Sequence, residues 1–396
     1  MKTTAFLLLL PLGVLSPTQS SVGTDILAET LPPGDYRPRP APSDLEMPKG
    51  RAAELREDAL ARAKVWREPA VPIDQVDLLA NPPGDDSFHF SDEVACKFHP
   101  EKVGGATRKF NCILPGGEVI RVKYGRNPEV RTEVVVTRLL EALGFGADRM
   151  YVVRKVRCFG CPEDPFKVLS CVYSPSEQVR KECQPLYVKK TEKGKSELNL
   201  DYAKYTDFDM VALERRMEGK GIEVKDVEGW KWSELEKIDP ARGGATRAEI
   251  DALRLMAVLV NNWDNKAGNQ RLICLPGGEG ADGSCTRPFA LMQDVGGTFG
   301  REKLDLEAWR AIPIWKDAGS CVVEIESPPL HSATFRDVAI SESGRRFLAG
   351  LLTQLSEKQV KDLFIGGRAP GQEDNWVQAF QDKVRQIAQR EPCPGG

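Results

Sequence analysis

Two acidic residues and an amide stand at spacings that suit the transfer of a phosphoryl group. Asp264 follows a predicted helix, Asn269 comes five residues later, and Asp294 precedes a pair of glycines. Such a reaction needs a carboxylate that takes the proton of an acceptor hydroxyl, and an amide and a second carboxylate that hold Mg²⁺ against the phosphates. Magnesium prefers these hard oxygen ligands. The pattern predicts Asp264 as the base and Asn269 and Asp294 as metal ligands.

The flanking segments are expected to bring these residues together. The stretch before Asp264 has apolar side chains at helical spacing and starts with a capping box of Thr246 and Glu249, so Asp264 lies just past a buried helix. After it, two strand-like stretches flank a glycine-rich loop at 276–286 and return Asp294 toward Asp264. The alternative is a solvated loop with ordinary Asp and Asn residues, because this spacing occurs about once by chance in a chain of this length.

The middle of the chain begins with three strand-like stretches separated by glycine-bearing turns. A hairpin centred on Gly104 would set Phe98 opposite Phe110 and Cys96 opposite Cys112. This register predicts a disulfide between the two cysteines.

Glycines, a lysine and a glutamate in this region are candidates for binding phosphate. At the tip of the hairpin, Gly104 and Gly105 would let backbone N–H groups approach a phosphate, or they only supply the positive φ of a tight turn. Lys123 on the third strand is the expected phosphate anchor, although strand lysines often only face solvent. Glu133 on the following helix is expected to pair with Lys123, with Glu129 as the second choice. The alternative is that either glutamate only stabilises the N-terminus of the helix through its dipole.

Taken in chain order, these features resemble the atypical protein-kinase-like superfamily, which includes HipA-type, CotH-type, secretory-pathway and phosphatidylinositol kinases. The segment TRLLEALGFGADRMYVV is similar to the helix, turn and strand that follow the lysine strand in HipA-like proteins. NNWDNKAGNQRL followed by QDVGGTFG is similar to a loop pair of CotH-like and secretory kinases. The resemblance covers about residues 93–300 and assigns no single subfamily.

The resemblance implies an α+β, bilobal fold with a β-rich N-terminal lobe, a mainly helical C-terminal lobe and a nucleotide cleft between them. It implies ATP with Mg²⁺ or Mn²⁺, a nucleotide held by Lys123, Glu133, Gly104 and Gly105, and an apolar strand at 210–213 as the interlobe hinge or else as core. The expected activity is transfer of the γ-phosphate of ATP to a hydroxyl of a protein, lipid or small molecule.

Three departures from the family pattern keep alternatives open. Asn-Trp stands before Asp264 where His-Arg is common, only ten residues separate Lys123 from Glu133, and no lid or activation segment is recognisable. A catalytically inactive pseudokinase that acts as a binding protein is one alternative. The other is an AMPylating nucleotidyltransferase that binds ATP in the flipped orientation.

The ten cysteines all lie beyond residue 90 and indicate an oxidising compartment. Cys158 and Cys161 form a CxxC that suits a redox pair or half of a metal site, but nearby Cys171 and Cys183 favour structural disulfides. Two distal pairs are also candidates, Cys274 with Cys285 and Cys321 with Cys393. Sequence alone leaves the connectivity open.

Targeting and charge point to an exported protein. Residues 1–20 are interpreted as a signal peptide, because their apolar run is too short to span a bilayer, and no later stretch is long and apolar enough. We expect a secreted or periplasmic protein without a membrane span after cleavage, with a retained N-terminal anchor as the alternative. The formal net charge of −3 gives no reason to expect nucleic acid or an anionic membrane as partner.

Composition predicts how the remaining chain is divided. Residues 21–90 are expected to form a proline-rich linker with one exposed helix within 47–68. Residues 91–210 would form the N-terminal lobe with a cysteine-rich insert, and residues 211–396 would form the helical C-terminal lobe.

Overall fold

The structure, a computed structural model, describes residues 29–39, 44–84, 86–190, 192, 194, 196–225, 227–317 and 319–393. The predicted signal peptide, residues 1–20, lies outside the described residues. No helix within the described ranges is long and apolar enough to cross a membrane.

Strands dominate the first half of the described chain and helices the second. The strands are β1 (Glu93–His99), β2 (Lys109–Ile113), β3 (Val119–Lys123), β4 (Arg149–Phe159), β5 (Val188–Lys190), β6 (Ser196–Leu198), β7 (Tyr205–Arg215), β8 (Lys220–Gly221), β9 (Gln270–Cys274), β10 (Pro288–Met292), β11 (Val322–Val323) and β12 (Val338–Ala339). The helices are α1 (Ala52–Ala61), α2 (Pro128–Ala142), α3 (Pro165–Val172), α4 (Glu177–Tyr187), α5 (Arg247–Leu259), α6 (Leu306–Ala311), α7 (Glu342–Leu352), α8 (Glu357–Gly366) and α9 (Glu373–Ala388). The predicted α+β class, with a β-rich N-terminal part and a mainly helical C-terminal part, is confirmed.

A closed barrel with strand order β1-β2-β3-β7-β4 forms the N-terminal part. Alternate side chains of a strand point to the same face, so one face of each strand fills the barrel. Phe98, Phe110, Tyr124 and Phe208 meet inside it with ring centroids 5.0–6.0 Å apart. β7 continues through residue 210, so the strand crosses the boundary that composition placed between residues 210 and 211.

The predicted hairpin register is wrong by two residues. Phe98 pairs with Cys112 rather than with Phe110, so the hairpin is centred on Gly105, which has φ +76°. A shift of two residues leaves every side chain on its original face. The predicted disulfide between Cys96 and Cys112 therefore forms all the same, with a Cα–Cα distance of 5.7 Å.

Helix α1 is not the exposed helix that composition predicts. It is shorter than the predicted segment, Leu55 is buried, and Ala59 and Leu60 belong to the C-terminal core. This narrow apolar stripe is hard to recognise in the sequence, because many charged residues surround it. Arg56 is also buried and pairs with Glu234 at 2.9 Å. The helix belongs to the folded body.

The chain before the barrel is tied to both halves of the molecule. Arg39 N–H donates to the carbonyl of Gly117 in the β2–β3 turn at 2.7 Å. Leu45 N–H donates to Gly221 at 2.7 Å, and Lys64 N–H donates to Pro288 at 3.0 Å. The described parts of residues 29–66, which we call the N-terminal strap, are thus not a free linker.

The C-terminal part packs around α5, whose predicted capping box of Thr246 and Glu249 is present. Every residue from Ile250 to Leu259 is buried. In the last helix, α9, Val377, Phe380 and Ile387 are buried, and Val384 is partly buried against the same core.

All ten cysteines form disulfides. The pairs are Cys96–Cys112, Cys158–Cys161, Cys171–Cys183, Cys274–Cys285 and Cys321–Cys393. The CxxC cysteines are bonded to each other, which fits a structural disulfide and equally the oxidised form of a redox pair. Five disulfides are compatible with an oxidising, extracellular environment.

Serine replacement of both Cys321 and Cys393 is expected to lower the free energy of unfolding by about 2–4 kcal/mol, because this bridge closes the longest loop. Its sequence separation is 72, against 12 for Cys171–Cys183. Guanidinium unfolding of the wild type and the double variant measures the loss. The matching Cys171→Ser, Cys183→Ser variant should lose less, and the opposite order would contradict the loop-entropy argument.

Candidate functional site

A buried lysine and two carboxylates form the centre of the site. Lys123 ends β3, and its ammonium lies 2.6 Å from Glu133 Oε2 on α2 and 2.8 Å from Glu214 Oε2 on β7. All three side chains are at least nine-tenths buried. The ten-residue separation suffices for the predicted Lys123–Glu133 pair, because α2 starts only five residues after Lys123, at Pro128, and Asn127 caps it.

Helix α2 is held between the two halves of the molecule by two apolar faces. Val130 and Val134 pack against Met150 and Val152 of the barrel. Its other face, which includes Leu139, belongs to the C-terminal core. This double packing fixes Glu133 opposite Lys123.

Because two carboxylates share one lysine, the pKa values in this group diverge. Burial opposes the charge of Lys123, but Glu133, Glu214 and Asp294 outweigh it and hold the pKa of Lys123 above its ordinary value. Burial raises the pKa of Glu133 to about 8, and repulsion from Asp294 and Glu214 acts in the same direction. The attraction of Lys123 lowers this pKa but does not outweigh the other two causes. Burial also opposes the charge of Glu214, yet Lys123 and then Arg121 lower its pKa to about 2.

The loop that carries Asp294 docks directly on α2. The hydroxyl of Thr132 donates to the carbonyl of Gly296 at 2.9 Å. A Cβ atom on Gly296 would lie 3.1 Å from Glu133 Oε1 and would overlap Glu129, so glycine permits this close approach. Carboxylate oxygens of Glu129, Glu133 and Asp294 consequently lie within 4.8 Å of one another.

Asp264 and Asn269 are joined to the same loop by backbone contacts. Trp263 N–H donates to the carbonyl of Gly297 at 3.0 Å, and a Cβ atom on Gly297 would lie 2.7 Å from Asp264 Cβ. The side-chain amide of Asn269 donates to the carbonyl of Asp264 at 2.5 Å, while the N–H of Asp294 donates to the carbonyl of Asn269 at 3.1 Å. The structure brings the three predicted residues into one hydrogen-bonded assembly.

The remaining predicted residues divide into near and distant ones. Lys123, Glu133 and Asp294 line one cavity of about 40 Å³ at the base of the barrel. Gly105 lies over the side chain of Lys109, which lines the same cavity, whereas Gly104 is exposed and has open space around it.

Glu129, the second choice as partner of Lys123, has a different role. Its carboxylate accepts hydrogen bonds from Thr107, at the base of the glycine turn, and from Lys303, beyond the Asp294 loop. These contacts bridge the barrel and the C-terminal part on the Gly296 side of α2.

Sequence reasoning missed two buried carboxylates in the cavity wall, Glu214 and Asp148. Asp148 Oδ1 accepts from Met217 N–H at 2.8 Å, and burial raises the pKa of Asp148 to about 6, with Glu214 adding repulsion. The one available signal for Glu214 is a charged residue directly after the apolar run 210–213. Val211, Ala212 and Leu213 of that run are buried in the barrel core, in line with the alternative expectation, and the chain leaves the barrel after Arg215.

A larger groove of about 600 Å³ lies away from this assembly, between α1 and the Cys274–Cys285 loop. Its charged side chains pair with one another, for example Lys237 with Glu57 at 2.8 Å.

No protein-family model matches the chain, and no curated protein matches its sequence. The structure is similar to the crystal structure of a Helicobacter pylori proinflammatory kinase, CtkA. The match has a TM-score of 0.42 and 9% sequence identity, and it covers 76% of this chain and 97% of the other.

Proposed function

We propose that this protein is a metal-dependent phosphotransferase that moves the γ-phosphate of ATP to a hydroxyl group. The proposal rests on one observation: Lys123, Glu133 and Asp294, which the sequence nominates together, line one cavity, and Asp264 packs on Gly297, three residues after Asp294. These residue types supply the general base, the positive charge that stabilises phosphate oxygens, and the metal ligands that phosphoryl transfer needs.

Each residue has a role that follows from its position. Asp264 accepts the proton of the acceptor hydroxyl, because its carboxylate is one-fifth exposed and can meet a substrate. Asn269 is held by its amide nitrogen, so the backbone of Asp264 fixes the orientation of its side-chain oxygen. Lys123 and Glu133 keep α2 at the distance from the barrel that the Asp294 loop requires.

The donor set around Asp294 fits Mg²⁺ or Mn²⁺. Asp294 would hold the ion, with the hard oxygens of Glu129 and Glu133 beside it. Asn269, whose carbonyl accepts from Asp294 N–H, is the further proposed ligand. When bound, such an ion neutralises phosphate charge and polarises the transferred group. The cavity wall has four carboxylates (Glu133, Asp148, Glu214, Asp294) against three cations (Lys109, Arg121, Lys123), so a polyphosphate needs an added cation to enter.

The cavity is too small for a nucleotide as it stands. Nucleotide-sized ligands occupy pockets of roughly 300–1,000 Å³, whereas this one measures about 40 Å³. ATP binding therefore requires the barrel and the C-terminal part to separate. Release of Glu129 from Thr107 and Lys303 is one such separation.

The small cavity also favours a second candidate, a pseudokinase that binds partners without turning over ATP. An AMPylating enzyme would use the same residues on a flipped nucleotide. Incubation with γ- or α-phosphate-labelled ATP separates these activities: γ label on an acceptor supports phosphotransfer, α label supports AMPylation, and neither label supports the binding protein.

Asp294→Ala is expected to weaken ATP binding in the presence of Mg²⁺ or Mn²⁺ by roughly 10- to 100-fold, the value of a charge-assisted contact. Titration calorimetry with and without the metal measures the change. Asp201→Ala removes an exposed aspartate and should leave the affinity unchanged. Wild-type protein that binds no ATP with either metal would refute the proposal.

A further inference from the structure

The charge of Lys123 is already committed within the protein. Its ammonium contacts Glu133 at 2.6 Å and Glu214 at 2.8 Å, and both carboxylates are buried. The trio carries no net positive charge: its net charge is −1 with Glu133 ionised and zero with Glu133 protonated, the form that its raised pKa favours. An anionic phosphate therefore gains little from approaching Lys123, because the carboxylates 2.6 and 2.8 Å from its ammonium offset the attraction.

Lys109 presents a second ammonium to the same cavity. In the β2–β3 pairing Lys109 lies directly opposite Lys123, so both side chains leave the same face of the sheet. The Lys109 Nζ atom reaches the glycine turn, where it lies 3.1 Å from the position that a Cβ on Gly105 would take. The missing side chain at Gly105 leaves room for this ammonium.

Among the described residues, Lys109 has no carboxylate within ion-pair distance, unlike Lys123. It is half-buried, and its burial, followed by the charges of Lys123 and Arg121, lowers its pKa, with Glu133 and Asp294 acting in the opposite direction. A half-buried cation beside two other cations costs free energy unless an anion joins it. A phosphate that contacts the Lys109 ammonium from the cavity side completes the arrangement.

We propose that Lys109 is the residue whose ammonium contacts the polyphosphate of the nucleotide, and that Lys123 is a positioning residue for α2. This inference rests on the proposed function. Its ligand class is a nucleoside di- or triphosphate, because hydrogen bonds from an ammonium to anionic phosphate oxygens are stronger than those to the neutral acceptors of a ribose or a base.

The test compares Mg²⁺-ATP, Mg²⁺-ADP and adenosine by calorimetry on the wild type and Lys109→Met. The variant should lose roughly 10- to 100-fold in affinity for ATP and ADP, as expected for one charge-assisted contact, and should keep its affinity for adenosine. Lys109→Arg restores the charge and should recover much of the loss.

Arg108→Ala is the matched control. It removes one positive charge at the neighbouring position, but the Arg108 side chain extends to the opposite side, 3.8 Å from Asp164. Nucleotide affinity should stay within twofold of the wild type. An equal loss in both variants would mean that only net charge matters and would overturn the assignment of Lys109.

Thermal unfolding without nucleotide separates a binding role from a structural one. Lys109→Met relieves repulsion from Lys123 and Arg121, so its melting temperature should equal or exceed that of the wild type. A lower melting temperature together with unchanged ATP affinity would overturn the inference while leaving the proposed function intact. Wild-type protein that fails to bind ATP would overturn both.

Discussion

Asp264→Asn is expected to lower the rate of phosphotransfer by a factor of about 10²–10⁴, the usual contribution of a general base. Asparagine has the shape of aspartate but cannot accept the hydroxyl proton, and the backbone contacts of residue 264 with Asn269 and Gly297 do not depend on the carboxylate. Because no acceptor is established, the rate is measured with labelled ATP as transfer to the protein itself or to water.

Affinity for Mg²⁺-ATP, measured on the same preparation, should remain within a fewfold of the wild type. The exposed change Asp201→Asn provides the matched control for loss of a carboxylate and should leave the rate unchanged. An Asp264→Asn protein with full transfer activity would remove Asp264 from the mechanism.

Lys123→Ala should lower the free energy of unfolding by about 3–5 kcal/mol, because removing one partner of a buried ionic group leaves the other partners unpaired. Here two carboxylates, Glu133 and Glu214, would lose their common cation at once. Denaturant unfolding, monitored by tryptophan fluorescence, measures the loss. Lys102→Ala, an exposed lysine on the β1–β2 connection, should change stability by less than about 0.5 kcal/mol.

This prediction bears on how inactive lysine variants are interpreted. If Lys123→Ala is as stable as the wild type, the lysine is not the organising centre of α2, and the division of roles between Lys123 and Lys109 is wrong. If it is destabilised, loss of activity in this variant reports on the fold and says little about phosphate contact.

Local sequence signals predicted the parts of the site that depend on neighbours in the chain. The capping box at Thr246 and the apolar face after it place the end of α5, and Asp264 follows from that end. Lys123 and Glu133 are likewise close in sequence, so a strand followed by a capped helix suffices to bring them together. Their nucleotide-binding role remains a prediction.

The parts that sequence reasoning missed depend on contacts between distant segments. Glu214 reaches Lys123 only because β7 pairs with β3, and periodicity carries no information about which strands pair. The burial of α1 depends in the same way on partners far along the chain, such as Glu234. The predicted hairpin is misaligned because Gly105, the glycine with positive φ, sets the turn, and not Gly104.

The N-terminal strap has a mechanical consequence. It is hydrogen-bonded to the β2–β3 turn through Arg39 and to the sheet of the C-terminal part through Leu45 and Lys64. A segment that is hydrogen-bonded to both parts restricts how far they can separate. If the cavity opens for a nucleotide as proposed, these hydrogen bonds of the N-terminal strap must lengthen or break, so a segment outside the site limits the opening.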